Sequence, residues 1–275
     1  MRNALKFTSV LATAGIALSL AACGSSGSSG SSDPNAPLTV VASPTPHGQI
    51  LKYVKDNLAD KAGLKLNIKE VTDYVTPNTA VQDGSADANY FQHVPYLEDF
   101  NKKHGTQIVS VEPVHLEPLG VYSKKAKAIG ELKDGATVGL PNDATNEGRA
   151  LKLLADNNLI TLKAGVGTAA TPADVTGNPK NLKWKELEAA QLPRSIDDLD
   201  AAVINGNYAL DAGLKPNGDS LVLEKAEGNP YANILAVKQG KENDPRVKKL
   251  AELLHSPEVK KYIEENFKGS VIPAF

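Results

Sequence analysis

ATVGLPNDATNEGRALKLLA, residues 136–155, contains a change of period that sets the fold class. Ala136 to Leu140 is a short apolar run, the mark of a buried strand, and it ends at Pro141-Asn142. Ala150, Leu151, Leu154 and Ala155 then recur at helical spacing. Asp143 or Thr145 is positioned to cap that helix. The same rhythm runs outward in both directions. Leu38 to Ala42 reads as a buried strand, Pro44 and Pro46 punctuate a loop, and Ile50, Leu51, Val54 and Leu58 mark a helix. Leu64 to Val71 alternates as a strand does, Ala201 to Ile204 is a buried strand ending at Asn205, and Ile234 to Val237 is another. Pro245 to Phe267 reads as two helices split at Ser256-Pro257. Strands alternating with helices predict an α/β fold with mostly parallel sheets. In such sheets ligands bind beyond the carboxyl ends of the strands.

The amino terminus is of another kind. Arg2 and Lys6 precede an uncharged stretch, Phe7 to Ala22, closed by Leu20-Ala21-Ala22-Cys23. This order is the signature of an export signal over residues 1–22 with lipid attachment at Cys23. The stretch is shorter than the ~20 residues a membrane helix needs. Several acyl chains on Cys23 would hold the protein on the extracytoplasmic face of a cell membrane. Gly24 to Ala36 (GSSGSSGSSDPNA) cannot build a core and reads as a flexible tether, so residues 23–36 form the anchor and its linker. Cys23 is the sole cysteine, which excludes a disulfide, a thiolate zinc site and a cysteine nucleophile. Beyond the signal, 28 basic residues face 32 acidic ones, a balance that gives no reason to expect a nucleic-acid partner.

Three segments gather unusual polar and aromatic residues. In the first, Phe91, His93 and Tyr96 sit on a strand-to-helix turn interrupted by Pro95; they either wall an apolar ligand group or form a core cluster. In the second, Asn146 and Arg149 share a face of the first helical turns. A helix start beside an arginine suits a carboxylate, although a surface salt bridge fits the same pattern. In the third, Asn205 follows a buried strand and either binds a ligand or caps the next helix.

Longer motifs narrow these alternatives. DYVTPNTAVQDGSADANYFQHVPYLEDFN (73–101), VEPVHLEPLGVYSKK (111–125), PNDATNEGRALKLL (141–154), LPRSIDDLDAAVINGNYA (192–209) and NPYANILAV (229–237) occur in this order. Together they resemble the NlpA/MetQ family of methionine-binding lipoproteins, from about Leu38 to the C-terminus. The resemblance implies a two-lobed periplasmic-binding-protein fold (type II-like), with two crossing strands between lobes and the ligand in the interlobe cleft. The lobes would be 37–122 plus 231–275, and 123–230. It implies methionine as ligand, in the L- and also the D-form, and partnership with the permease and ATPase of an ABC importer. By the same resemblance Tyr74 belongs to the site, and Phe91, His93 and Tyr96 surround the methionine side chain. Asn146 and Arg149 follow, with the arginine on the ligand carboxylate, and Asn205 and Asn233 bind its amino and carboxylate groups. His115 lies near the cleft as a secondary position.

Other signals carry less. Gly165 to Ala170 (GVGTAA) loosely fits a dinucleotide fingerprint, but Thr171-Pro172 interrupts the helix that fingerprint needs. His47, His93, His104, His115 and His255 are scattered, with no pair at helical ligand spacing, so no metal is expected. No cofactor motif and no catalytic motif is present. An exported hydrolase would have to rely on carboxylates such as Asp73 and Glu117, and a binding protein rather than an enzyme is the expectation.

Overall fold

Alternation within single strands gives this protein its layers. In strand β1 (Leu38–Ala42), Leu38, Val40 and Ala42 face one apolar cluster and Val41 faces another. The computed structural model describes residues 33–275; the signal segment, Cys23 and the tether as far as Ser32 lie outside the described residues. After β1 come β2 (Leu66–Glu70), β3 (Ala88–His93) and β4 (Ile108–Leu116), all in a first sheet. The chain then enters a second sheet through β5 (Gly120–Tyr122) and β6 (Thr137–Pro141). A small hairpin, β7 (Thr161–Leu162) with β8 (Val175–Gly177), interrupts it before β9 (Lys183–Leu187), β10 (Ala201–Ile204) and β11 (Ser220–Leu223) complete it. Finally β12 (Asn233–Lys238) and β13 (Ile272–Pro273) return to the first sheet.

The strand orders are β13-β4-β12-β3-β1-β2 and β11-β5-β10-β6-β9. The chain therefore changes sheet twice, between Leu116 and Gly120 and between Leu223 and Asn233. The lobe limits expected at 122/123 and 230/231 lie near these changes, and β5 itself pairs within the second sheet.

The sheets are mixed rather than mostly parallel. Only β1–β2, β1–β3, β6–β9 and β6–β10 pair in parallel among the described strands. β12 comes back from the second sheet and inserts between β3 and β4, antiparallel to both. A returning chain can enter an open slot from either end, so alternation of strand and helix does not fix strand direction. The insertion matters for the site, because Asn233 stands in register with His93 on one side and His115 on the other.

Helices cover both faces of the first sheet. Those at Gln49–Val54, Pro245–Leu254 and Pro257–Phe267 bring Leu51, Leu250 and Ile263 against Leu38 and Val40. Those at Thr76–Asp83 and Val94–His104 bring Val81 and Leu97 against Val41. In β10, Ala201 and Val203 join the cluster with Leu151 and Leu154, while Ala202 and Ile204 join Leu192 and Ile196. Each such valine, leucine or isoleucine contributes about 1.5–3 kcal/mol on burial. Among the described residues no helix is long and apolar enough to cross a membrane.

Candidate functional site

The strand ends supply the site. After β6, Asp143 caps the helix Ala144–Asp156, its carboxylate accepting from the Asn146 N–H at 2.9 Å. Of the two candidate caps the structure therefore uses Asp143, and Thr145 donates its hydroxyl to that carboxylate at 3.0 Å. Asn146 Nδ2 donates to both Asp143 oxygens, which aims its Oδ1 away toward Asn205 Nδ2 (2.9 Å) and His93 Nε2 (3.3 Å). Asn205 is thus turned into the site and does not cap the following helix, Gly206–Asp211.

His93 ends β3 and opens the helix Val94–His104, whose second residue is Pro95, so that proline begins the helix instead of interrupting it. Its Nδ1 accepts from the Tyr96 N–H at 3.2 Å. Nε2 must then carry the proton and donate to Asn146. Burial, followed by the nearby Arg149 cation, holds this imidazole down at about 3.

A tight cavity with room for about 20 Å³ lies between the two sheets. All eight principal positions singled out in the sequence line it: Tyr74, Phe91, His93, Tyr96, Asn146, Arg149, Asn205 and Asn233. His115 does not; it stands behind Glu117, which lines the wall in its place. Gln92, Gly206 and Asn207 also line the cavity and escaped the sequence reading. Asn207 Oδ1 accepts from the Tyr74 hydroxyl at 2.6 Å, and its buried Nδ2 has no protein partner. Its place two residues after Asn205, on a short helix start, was the available signal.

One end of the cavity is aromatic. Tyr74 lies 5.8 Å from Phe91 and 5.7 Å from Tyr96, centroid to centroid, and Tyr96 donates its hydroxyl to the Tyr74 carbonyl at 3.0 Å. Such rings suit an apolar or polarisable ligand group. The other end is charged. Arg149 is 4% exposed, so it is no surface cation. It donates Nε to Glu224 Oε1 at 2.9 Å, Nη2 to Glu224 Oε2, and Nη2 again to the Glu117 carbonyl at 3.0 Å. Its guanidinium carbon lies 4.2 Å from the Tyr231 ring centre. Nη1 makes none of these bonds. Gly148, in the same helix, allows a close approach: a methyl group there would stand 2.2 Å from the Thr168 carbonyl oxygen. The GVGTAA stretch therefore serves as packing for this helix.

Behind the cavity the structure gathers residues that sequence spacing kept apart. His115 Nε2 donates to Glu117 Oε1 at 2.7 Å, and His47 Nε2 stands 3.3 Å from the same oxygen and 2.9 Å from Asn233 Oδ1. Tyr90 hydrogen-bonds His115 Nδ1. His47, His115 and Glu117 offer donor atoms within 4.8 Å of one another, so among the described residues this is the set that could hold a cation, at the cost of these hydrogen bonds. Burial keeps His47 at about 4 and His115 at about 3, hence neutral. Asp73 is engaged elsewhere, where its carboxylate accepts from the Val75 and Thr76 N–H groups as a turn cap. The carboxylate pair that an exported hydrolase would need is thus divided between a cap and the cavity wall.

Comparison with known proteins bears on this cavity. The profile of the NlpA lipoprotein family matches residues 38–275. The chain is 41% identical to the methionine-binding lipoprotein MetQ of Bacillus subtilis, over 92% of this chain and 93% of that one. It is similar to the structure of a nutrient binding protein from Burkholderia cenocepacia bound to methionine, with TM-score 0.84, 46% identity, and coverage of 86% of this chain and 100% of that one. A periplasmic substrate-binding protein of an ABC transporter from Coxiella burnetii gives TM-score 0.82 and 45% identity, with coverage of 86% and 100%.

Proposed function

The chain belongs to the NlpA lipoprotein family, and on that premise we propose that it captures methionine outside the cytoplasm and delivers it to an ABC importer. The observation that carries this reading is a cavity that joins an aromatic end to a buried arginine, lined by all eight principal positions. A methionine has the matching halves, a thioether for the rings and an α-carboxylate for the guanidinium.

In this reading the two sheets form the cores of two lobes, one of residues 37–122 and 231–275 and the other of 123–230. They close over the ligand like other two-lobed binding proteins. Tyr74, Phe91, His93 and Tyr96 enclose the side chain, Arg149 Nη1 and Asn146 face the carboxylate end, and Asn205 and Asn233 complete the polar contacts. Arg149 enters already fixed by Glu224, so little of its rotamer freedom is lost on binding. Lipid on Cys23 and the tether keep the body beside the membrane, where a permease and its ATPase receive the ligand. No bond in the ligand is made or broken.

The test uses a soluble chain that begins after Cys23. The protein is purified and unfolded, any released small molecule is identified by mass spectrometry, and refolded protein is titrated with both methionine enantiomers. Released methionine or saturable binding of either enantiomer is the expected result. A different amino acid or a dipeptide would keep the mechanism and change the ligand, and no binding of any amino acid would overturn the reading.

A further inference from the structure

The chain crosses between the two sheets at 117–119 and at 224–232, and both crossings adjoin the neighbouring strands β4 and β12. From β12 the first sheet continues through β3 and β1 to β2. Its β2 edge therefore lies three strands, about 14 Å, from the nearer crossing. Beside the crossings the backbone itself keeps the sheets together. At the β2 edge non-covalent contacts must do so.

One such contact comes from the short helix Gly206–Asp211. Tyr208 donates its hydroxyl at 2.8 Å to the carbonyl of Thr72, two residues past β2. The Tyr208 ring is buried with Leu192 and Ile196 on the second sheet and lies 4.9 Å from the Tyr74 ring. It thus ties the far edge of one core to the interior of the other. Tyr208 does not line the cavity. It lines a separate crevice with room for about 300 Å³, and Tyr74 and Tyr96 form the partition that cavity and crevice share. At the other end the cavity is closed by Arg149, which Glu224 holds from a crossing segment. A second bond between the sheets offers a contrast. Asn217 donates to the Lys268 carbonyl at 2.9 Å, and Lys268 just precedes β13, the edge strand beside β4. That bond stands on the side where the chain already limits movement.

We infer that Tyr208 is the latch of the cleft: through Thr72 it holds the two cores together at the edge remote from the crossings, and it sets how long a ligand is retained without touching that ligand. The inference rests on the methionine reading above and deepens it. A bond made only when the cores are together stabilises that arrangement whichever ligand lies inside. Its loss should speed the release of every ligand by one factor and should not slow entry.

The test uses the full-length protein in detergent. Tyr208→Phe keeps the ring among its apolar neighbours and leaves the exposed Thr72 carbonyl to water, so the fold is retained. Release of radiolabelled L- and D-methionine into excess unlabelled methionine should be about 3–10-fold faster than in wild type, by the same factor for both, with association no slower. Asn217→Ala should leave release within about twofold of wild type. Hydrogen exchange measured without ligand should rise over residues 71–76 and 205–211 in Tyr208→Phe and not in Asn217→Ala. Unchanged release in Tyr208→Phe overturns the latch, and so do slower association or an equal acceleration by Asn217→Ala. If wild type binds no methionine, the amino-acid reading falls, and hydrogen exchange still decides whether Tyr208 holds the two cores together.

Discussion

At the residue scale, the site depends on polar side chains whose freedom is taken up before a ligand arrives. Asn146 is the clearest case: its amide nitrogen is held against both oxygens of Asp143, which leaves its own oxygen facing Asn205 and His93. His93 is tied in the same way, and a second proton would have to sit on the nitrogen that caps the helix. It would also place a cation in a buried setting close to Arg149. The unfolded chain takes up this proton below about 6.5, while the folded protein refuses it until about 3. Wild type therefore loses stability through His93 as pH falls from 7 to 5, and His93→Gln does not. The stability gap between the two should shrink by up to about 1.4 kcal/mol per pH unit below 6.5. Urea unfolding of both proteins at pH 7, 6 and 5 measures the gap, and a constant gap would exclude a neutral, buried His93.

At the element scale, the helix Ala144–Asp156 carries Asn146 and Arg149 and owes its position to Gly148. Two effects of Gly148→Ala oppose each other. Alanine favours the helix by up to about 1 kcal/mol. Its methyl group, 2.2 Å from a backbone oxygen that cannot swing aside, forces the helix and the loop at Thr168 apart, at about 1–3 kcal/mol. The clash involves backbone, so it should win, and Gly148→Ala should lower the urea midpoint with an unchanged slope. A midpoint equal to or above wild type would show that the loop gives way freely. Helix boundaries were also the most legible elements in the sequence. The split at Ser256-Pro257 appears as drawn, because Ser256 caps the helix that Pro257 begins.

At the scale of the whole molecule, the cavity draws on both sheets: Phe91, His93 and Asn233 come from one, and Asn146, Arg149 and Asn205 from elements around the other. A ligand held by both ties the two cores together and so stabilises the native state by mass action. Methionine at about 100 times its dissociation constant should add about 2.7 kcal/mol. For a chain of this size that raises the thermal midpoint by about 5–10 °C. A melting curve recorded with and without methionine reads this directly. A midpoint unmoved at saturating methionine would contradict a ligand bound between the sheets.

The sequence by itself determined many of the elements, and its likeness to a known family, rather than its periodicity, pointed to the residues of the candidate site. Apolar periodicity fixed where strands such as Ala201–Ile204 and helices such as Pro257–Phe267 lie, because those patterns come from neighbours two to four residues apart. Strand-to-helix junctions were marked as well, where His93 and Asn205 end strands and Asn146 opens a helix. Strand direction, and the partners of the charged groups, were decided only by the tertiary structure. Glu224 meets Arg149 across 75 positions of chain, and Asn233 meets His47 across 186. No local pattern encodes such pairs. They exist because β12 returns to a slot between β3 and β4, and because a buried charge or imidazole must find its partner wherever packing brings one.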